Sequence, residues 1–330
     1  MSGSGSDRTG PRVSVVVTTC RNPDSLRRTL GSLLGCQPAP DEVVVVENRP
    51  GDTATGRAVA GLDTRGVPVV VVDEPRRGLS SARNAGLRRA SCELVAFTDD
   101  DVVLDRAWVG ALAAGMDRAP DVACVTGQIR ALRLETPEQR AMEAFANLDK
   151  GAAPRVWRLG EPDRRDPLFP YGAGAFGSGA STLLRASFAR RIGGFDPRLG
   201  TGTLACGGED LDLFVRVLRA GAAIAYEPGA VLWHDHPDDM HHLRREAWTY
   251  GVGLTAMLAK HALDVRQTRA VLALLPKGLS HLNDPASRKN AGKDPSFPRA
   301  LERLERAGML VGPMAFLASA ARSRSAEAVI

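Results

Sequence analysis

Apolar residues in the first 130 positions come in short unbroken runs, not in alternation. The runs are RVSVVVTTC (12–20), DEVVVVEN (41–48), VPVVVVDEP (67–75), CELVAFTDDD (92–101) and DVACVTGQI (121–129), all rich in β-branched residues. A continuous apolar strand is one buried on both faces, which is the pattern of a parallel sheet. Helical stretches separate the runs. Asn22 and Pro23 read as helix cap and first helical residue before DSLRRTLGSLL. TATGRAVAGL, GLSSARNAGLRRA (78–90) and DRAWVGALAAGM follow in the same role. Strand and helix in strict alternation predict an α/β fold, with a mostly parallel central sheet flanked by helices.

The pattern then changes. TPEQRAMEAFANL (136–148) predicts a helix, and the Pro-, Gly- and Arg-rich stretch from Gly151 to Gly179 is expected to wrap over a site. STLLRASFARRIGGFD predicts a strand entering a short helix, and residues 207–221 a clear helix. Residues 222–236 predict two short strands around Pro228-Gly229, and from Met240 the chain reads as helical with Pro and Gly breaks. Four segments result: a disordered tail over 1–11, a sheet-forming half over 12–127, a second half over 128–236 and a helical extension over 237–330. No repeat of solenoid period is visible.

Composition narrows the class. With 44% hydrophobic and 25% charged residues the chain is of globular type. A formal charge of +5 is a mild basic bias, suited to an anionic small ligand or a membrane surface. Nucleic acid is not expected, because only 5% of residues are aromatic and no aromatic-rich basic segment occurs. Five cysteines without a C-x-x-C pair argue against a disulfide framework and for the reducing cytoplasm. MSGSGSDRTGPR has no apolar core and does not read as a secretory signal. GMLVGPMAFLASAA (308–321) is shorter than a membrane span. It reads either as a terminal helix docked on the core or as an interfacial anchor.

The strand ends carry the chemistry. Ligands of open parallel sheets bind at the carboxyl ends of the strands. Those ends here hold Thr18-Thr19, Glu47-Asn48, Asp73-Glu74 and the triplet Asp99-Asp100-Asp101. Strand alternation puts Asp99 and Asp101 on one side and Asp100 on the other. Three adjacent carboxylates become tolerable beside a hard divalent cation such as Mg²⁺ or Mn²⁺, which shares its shell with substrate phosphates. A solvated turn is the plainer alternative. A second acid stands apart. On a helical wheel of residues 209–219, Leu211, Phe214, Val215 and Leu218 form an apolar stripe. Glu209, Asp212, Arg216 and Arg219 fall opposite, and Asp210 falls inside the apolar arc. An inward carboxylate in a first helical turn needs a partner or a task. It reads as a general base or as an acid capping backbone amides.

The ordered set VSVVVTTCRNPDSL, EVVVVEN, GLSSARNAGL, AFTDDDV, GGFD, GGEDLDLFVRVLRAG and YEPGAVLWHDH resembles the family 2 glycosyltransferases over about residues 12–236. The resemblance implies a GT-A fold and inverting transfer of a sugar from a nucleotide-diphosphate donor, with Mg²⁺ or Mn²⁺. It implies that 12–127 hold the donor and that 128–236 complete the metal site and present the acceptor. The extension would shape the acceptor pocket, dimerise or touch the inner face of the membrane. By the same resemblance Thr18, Glu47 and Asn48 line the base and ribose pocket, where the family more often has Asp-Asp or Asp-Asn. Arg83 and Asn84 border the nucleotide, Asp99 and Asp100 hold the donor, and Gly179 lies beneath the donor sugar. Asp101 and His234 bind the metal, with His236 the alternative to His234. Asp210 is the base and Glu209 orients the acceptor. The sugar, the nucleotide and the acceptor are not legible.

Rival readings are weaker. GAGAFG (172–177) fits a dinucleotide fingerprint, but it follows LFPY instead of a buried strand and opens no clear helix. HDHPDDMHH fits no standard zinc spacing. A nucleotidyltransferase would place a Gly-rich basic loop after the first strand, where this chain has TTCRNPDSL. A non-catalytic sugar-nucleotide-binding protein would be expected to lack Asp210 or the metal pair.

Overall fold

The computed structural model describes residues 10–49, 51, 53–161 and 166–327. Most of the tail expected over 1–11 lies outside them. The elements in chain order are β1 (Val13–Thr19), α1 (Pro23–Leu33), β2 (Glu42–Glu47), α2 (Thr53–Ala60), β3 (Val69–Asp73), α3 (Leu79–Arg89), β4 (Leu94–Asp99), β5 (Val102–Leu104) and α4 (Trp108–Gly115). Then come β6 (Val122–Ala131), α5 (Pro137–Ala146), β7 (Arg155–Trp157), β8 (Thr182–Arg185), α6 (Ala186–Arg191), α7 (Glu209–Arg219) and β9 (Ala223–His234). Three long helices close the chain: α8 (Met240–Ala262), α9 (Thr268–Asn283) and α10 (Arg299–Glu327).

The strands form one sheet in the order β3-β2-β1-β4-β8-β6-β9-β5, with β7 also on β9. β1, β2, β3 and β4 are mutually parallel, whereas β8 runs antiparallel between β4 and β6. The sheet is therefore mixed, with its parallel part confined to the N-terminal half and to the β6–β9 pair. The unbroken valines explain the layering. Val13, Val15 and Val17 point into one core with Leu26, Leu30 and Trp108, and Val16 points into the other with Val44, Phe97 and Phe214. Alternate residues thus feed both faces, so every position in the strand is apolar.

Two expectations fail here. Residues 223–234 form one strand, and Pro228-Gly229 lie in a bulge of it: the partner register jumps from Gly127↔Glu227 to Gln128↔Val231. A bulge absorbs a proline that has no amide to donate. Pro276 and Pro313 do not break the terminal helices but sit inside α9 and α10.

α10 docks along α8 at backbone distance. A Cβ added to Gly251 would lie 1.9 Å from the Glu305 carbonyl oxygen, and one on Gly308 would lie 2.4 Å from that of Trp248. Such close packing along the helix outweighs the loss of one hydrogen bond at Pro313. Phe316 is buried in this contact, while Leu310 (84% exposed) and Met314 (67% exposed) face outward. No helix among the described residues is long and apolar enough to cross a membrane.

Candidate active site

Parallel register gathers the polar strand ends at one edge. Thr18 pairs with Asp99, Thr19 with Glu47, and Glu47 with Asp73. Of these, Glu47 is buried and bonded, accepting from the Thr55 hydroxyl and, at 2.7 Å, from the Arg49 amide. Asn48 acts as a brace. Its Nδ2 donates to the carbonyls of Glu74 and Arg76, and its Oδ1 accepts from the Gly78 amide at 2.8 Å. Asn84 is also a brace, exchanging two hydrogen bonds with the backbone of Phe195 in the GGFD turn. Both amides are engaged in shaping loops around the edge, a role their spacing in the sequence did not disclose.

The aspartate triplet divides among three partners. Asp99 accepts from Arg83 Nη2 at 3.0 Å, and Asp100 accepts from the Thr19 hydroxyl at 2.5 Å. Asp101 Oδ1 lies 3.5 Å from His234 Nε2. Strand alternation does not govern the triplet beyond Asp99. β4 ends at Asp99, and the chain turns before β5 pairs antiparallel with β9, Val102 opposite His234. That pairing sets Asp101 beside His234. Burial, with Asp101 and Asp99 adding to it, pushes Asp100 up to about 7. Burial also raises Asp101, with His234 opposing.

Arg83 is only 2% exposed and joins the two halves of the site. Its Nη1 donates to Glu209 Oε1 at 2.9 Å while Nη2 holds Asp99. The sequence expectation of a residue bordering the nucleotide is refined: the guanidinium lies beneath the edge, clamped between carboxylates. Gly179 is required here, because a Cβ at that position would stand 2.6 Å from Nη1. The Gly179 amide in turn donates to Asp210 Oδ2 at 2.9 Å. Glu209 opens α7 after Gly208, whose φ of 82° is left-handed. Burial and Asp210 push Glu209 up to about 7, with Arg83 opposing.

The helical wheel of α7 is wrong about its charged face. Glu209 and Asp212 are buried, whereas Asp210 is half-buried. The wheel presumes solvent opposite the apolar stripe, but α8 covers that side. Asp212 bonds Arg216 Nε at 2.7 Å and Lys260 at 2.6 Å, and lies 3.1 Å from His261 Nε2. Lys260 also reaches Asp196 at 2.7 Å. Lys260 and His261 lie almost fifty residues beyond Asp212, so no local signal marks them.

His234 and His236 separate as alternation requires. His236 is buried and bonded to Glu143 at 2.7 Å, whereas His234 faces Asp101. Asp101 Oδ1 is buried without a hydrogen-bond partner and faces His234 Nε2 at 3.5 Å, while Nδ1 on the other side of the imidazole is also unpartnered. An orphaned carboxylate oxygen and an imidazole nitrogen at that separation fit a divalent cation of the Mn²⁺ type. Among the described residues no three His, Cys, Asp or Glu side chains form a closed cage. A cation here would therefore take its other ligands from diphosphate and water. All five cysteines are free, and GAGAFG forms only a short 3₁₀ turn at Ala173–Ala175.

The raised acids fix how stability depends on pH. Folded Asp100, Asp101 and Glu209 keep protons that the unfolded chain has released, so stability falls as pH rises from about 4 to about 7. Asp212 and Asp196 are lowered instead, chiefly by their hydrogen bonds and cationic partners against burial. Their contribution is complete above about pH 4 and constant in that window. With chelator present, the melting temperature is expected to drop between about pH 5 and pH 7.5. A flat or rising profile would contradict the burial of these acids.

Residues 14–193 match the family described as Glycosyl transferase family 2. A pre-mycofactocin glycosyltransferase of Mycobacterium tuberculosis is 31% identical over 76% of this chain, which spans 48% of that relative's length. The succinoglycan biosynthesis protein ExoM of Rhizobium meliloti is 28% identical over 77% of this chain and 78% of its own. Among solved structures, the mannosyltransferase PcManGT from Pyrobaculum calidifontis, in complex with GDP-Man and Mn²⁺, superposes with a TM-score of 0.57 at 19% identity. That likeness covers 96% of this chain and 87% of the other, and it shows a shared GT-A fold. With more than half its length inside the matched family region, this chain belongs to glycosyl transferase family 2.

Proposed function

We propose that the chain transfers a sugar from a nucleotide-diphosphate donor to an acceptor hydroxyl, with inversion at the anomeric carbon and with Mg²⁺ or Mn²⁺. The observation that carries this is the chain of contacts Asp99–Arg83–Glu209, with Arg83 packed on Gly179 and Gly179 bonded to Asp210. It supports the reading by linking Asp99, at the strand end expected to hold the donor, to Asp210, the acid expected to take a proton, through one buried guanidinium. Thr18, Asp99 and Asp100 face the donor at the carboxyl edge. Asp101 and His234 would hold the cation, which would supply charge neutralisation for the departing diphosphate. Asp210 accepts the proton of the acceptor hydroxyl as that oxygen attacks from the opposite face. The Gly179 amide fixes the rotamer of Asp210, so the carboxylate need not reorganise during the step. Glu209, locked on Arg83, sets the entry of α7. Five free cysteines support a reducing compartment for this reaction. The Mn²⁺ in PcManGT and the family membership support the metal and donor class.

The test is a screen of nucleotide sugars for release of nucleoside diphosphate, with and without Mn²⁺. One donor is expected to be consumed with the metal and spared by chelator. Consumption of none, or release of pyrophosphate from a nucleoside triphosphate instead, removes this reading.

A further inference from the structure

α8 contributes more than support for α10. Its turn around Thr249–Gly253 abuts the Gly207-Gly208 turn that launches α7: a Cβ on Gly208 would lie 2.4 Å from the Gly253 carbonyl oxygen. Tyr250 lies one turn before Gly253 on α8, with Glu246 a further turn back on the same side. Tyr250 is 38% exposed, a large fraction for a tyrosine in a helix flanked on two sides. Even so, burial and the carboxylates of Glu246 and Asp210, followed by Glu305 and Glu209, raise its phenol above the ordinary value. Tyr250 thus stands, partly open to solvent, on the turn of α8 that abuts the start of α7, where Asp210 lies.

The ring is held, and its hydroxyl is unengaged. Phe145 of α5, itself buried, packs edge-on against Tyr250 with centroids 5.5 Å apart. Lys289 covers Phe145 from 5.1 Å and is tied to Glu305 at 2.5 Å, so the backing ring is fixed in turn. Among the described residues the Tyr250 hydroxyl has no hydrogen-bond partner. A rigid aromatic ring with an open surface and a spare hydroxyl accounts for neither the fold nor the donor edge. Its acidic surroundings also disfavour a phosphate or carboxylate group, since like charges repel in a partly desolvated cleft.

We infer that Tyr250, backed by Phe145 and flanked by Glu246, is the acceptor platform, and that it takes the C–H face of a neutral, ring-shaped polyol such as a sugar. The electron-rich ring face attracts the polarised C–H groups of such a ring. The Tyr250 hydroxyl and the Glu246 carboxylate bond its hydroxyls, and the ring is held with one hydroxyl toward Asp210. This specifies the acceptor side of the proposed transfer and rests on that reading of Asp210.

Saturation-transfer NMR on the full chain tests it, with methyl glycosides of common hexoses as probes and sorbitol and glycerol 1-phosphate as comparators. The ring C–H protons of at least one glycoside are expected to saturate with the wild type and with Tyr250→Phe. Tyr250→Ala, checked for an unchanged melting temperature, is expected to weaken that binding by roughly tenfold or more. Tyr250→Phe keeps the stack and should lose only a few-fold. The inference is overturned if no glycoside saturates, if Tyr250→Ala binds as the wild type does, or if the ring-free comparators bind equally well. Probe binding is read without donor turnover, so it stands or falls apart from the nucleotide-sugar screen.

Discussion

Asp210→Asn is expected to reduce turnover by about 10³-fold, the scale of a lost general base. Donor affinity should stay close to that of the wild type, because no contact of Asp210 lies on the strand edge where Asp99 and Asp101 sit. Asparagine is nearly isosteric, and its Oδ1 can still accept the Gly179 amide that now bonds Asp210 at 2.9 Å, at the loss of the bond from the Leu211 amide at 2.8 Å. The variant therefore removes the proton acceptor for the loss of one hydrogen bond, and the melting temperature should fall only slightly, by about 1 kcal/mol of stability. Steady-state turnover with the donor found by screening, paired with nucleotide titration by calorimetry, separates the two quantities. Near-normal turnover would show that another group takes the proton. Equal losses in turnover and in nucleotide binding would show that Asp210 belongs to the donor site instead.

The second large effect is on stability. Arg83→Met would leave Glu209 buried and Asp99 half-buried, without the cation that now bonds both at 2.9 and 3.0 Å. Above about pH 7, where Glu209 is ionised, removing one member of this buried ionic group costs about 3–5 kcal/mol, because the remaining charge stays desolvated and unpaired. Methionine fills most of the volume, so the loss reports charge more than a cavity. A clear fall in the urea midpoint is expected. Lysine should not restore it, since a single ammonium cannot reproduce a planar fork that spans two carboxylates. Arg83 also packs over Phe195 at 5.4 Å, next to the turn held by Asn84, so the GGFD turn should loosen with it. A midpoint equal to the wild type would mean that Glu209 is protonated and needs no partner. Its raised ionisation makes that the specific alternative which the measurement decides.

These two experiments probe opposite ends of one linkage. Asp210, as the proposed base, should change rate far more than stability. Arg83 touches no reacting atom and should change stability first, with any loss of rate following from displaced Asp99 and Glu209. Tyr250 adds a third signature, in acceptor recognition.

The sequence by itself determined the layering and the edge at which the polar strand ends gather. Unbroken valines require strands buried on both faces, and parallel strands must end together, so Thr18, Glu47 and Asp99 share an edge. Local patterns also place a helix at 209–219 with acids in its first turn. Tertiary structure decided what each charged group does. The triplet divides among Arg83, Thr19 and His234 because β5 leaves the parallel run to join β9. Asp212 is buried, not solvated, because α8 delivers Lys260 and His261 to it. Asn48 and Asn84 brace loops through backbone atoms that come near only in three dimensions. The α8 turn that carries Tyr250 reaches the start of α7 because glycines at 207, 208 and 253 let two backbones touch. Periodicity reports which side of an element avoids water, since burial acts on the element as a whole. A partner far away in the chain leaves no periodic trace, so the identity of each contact was settled only by folding.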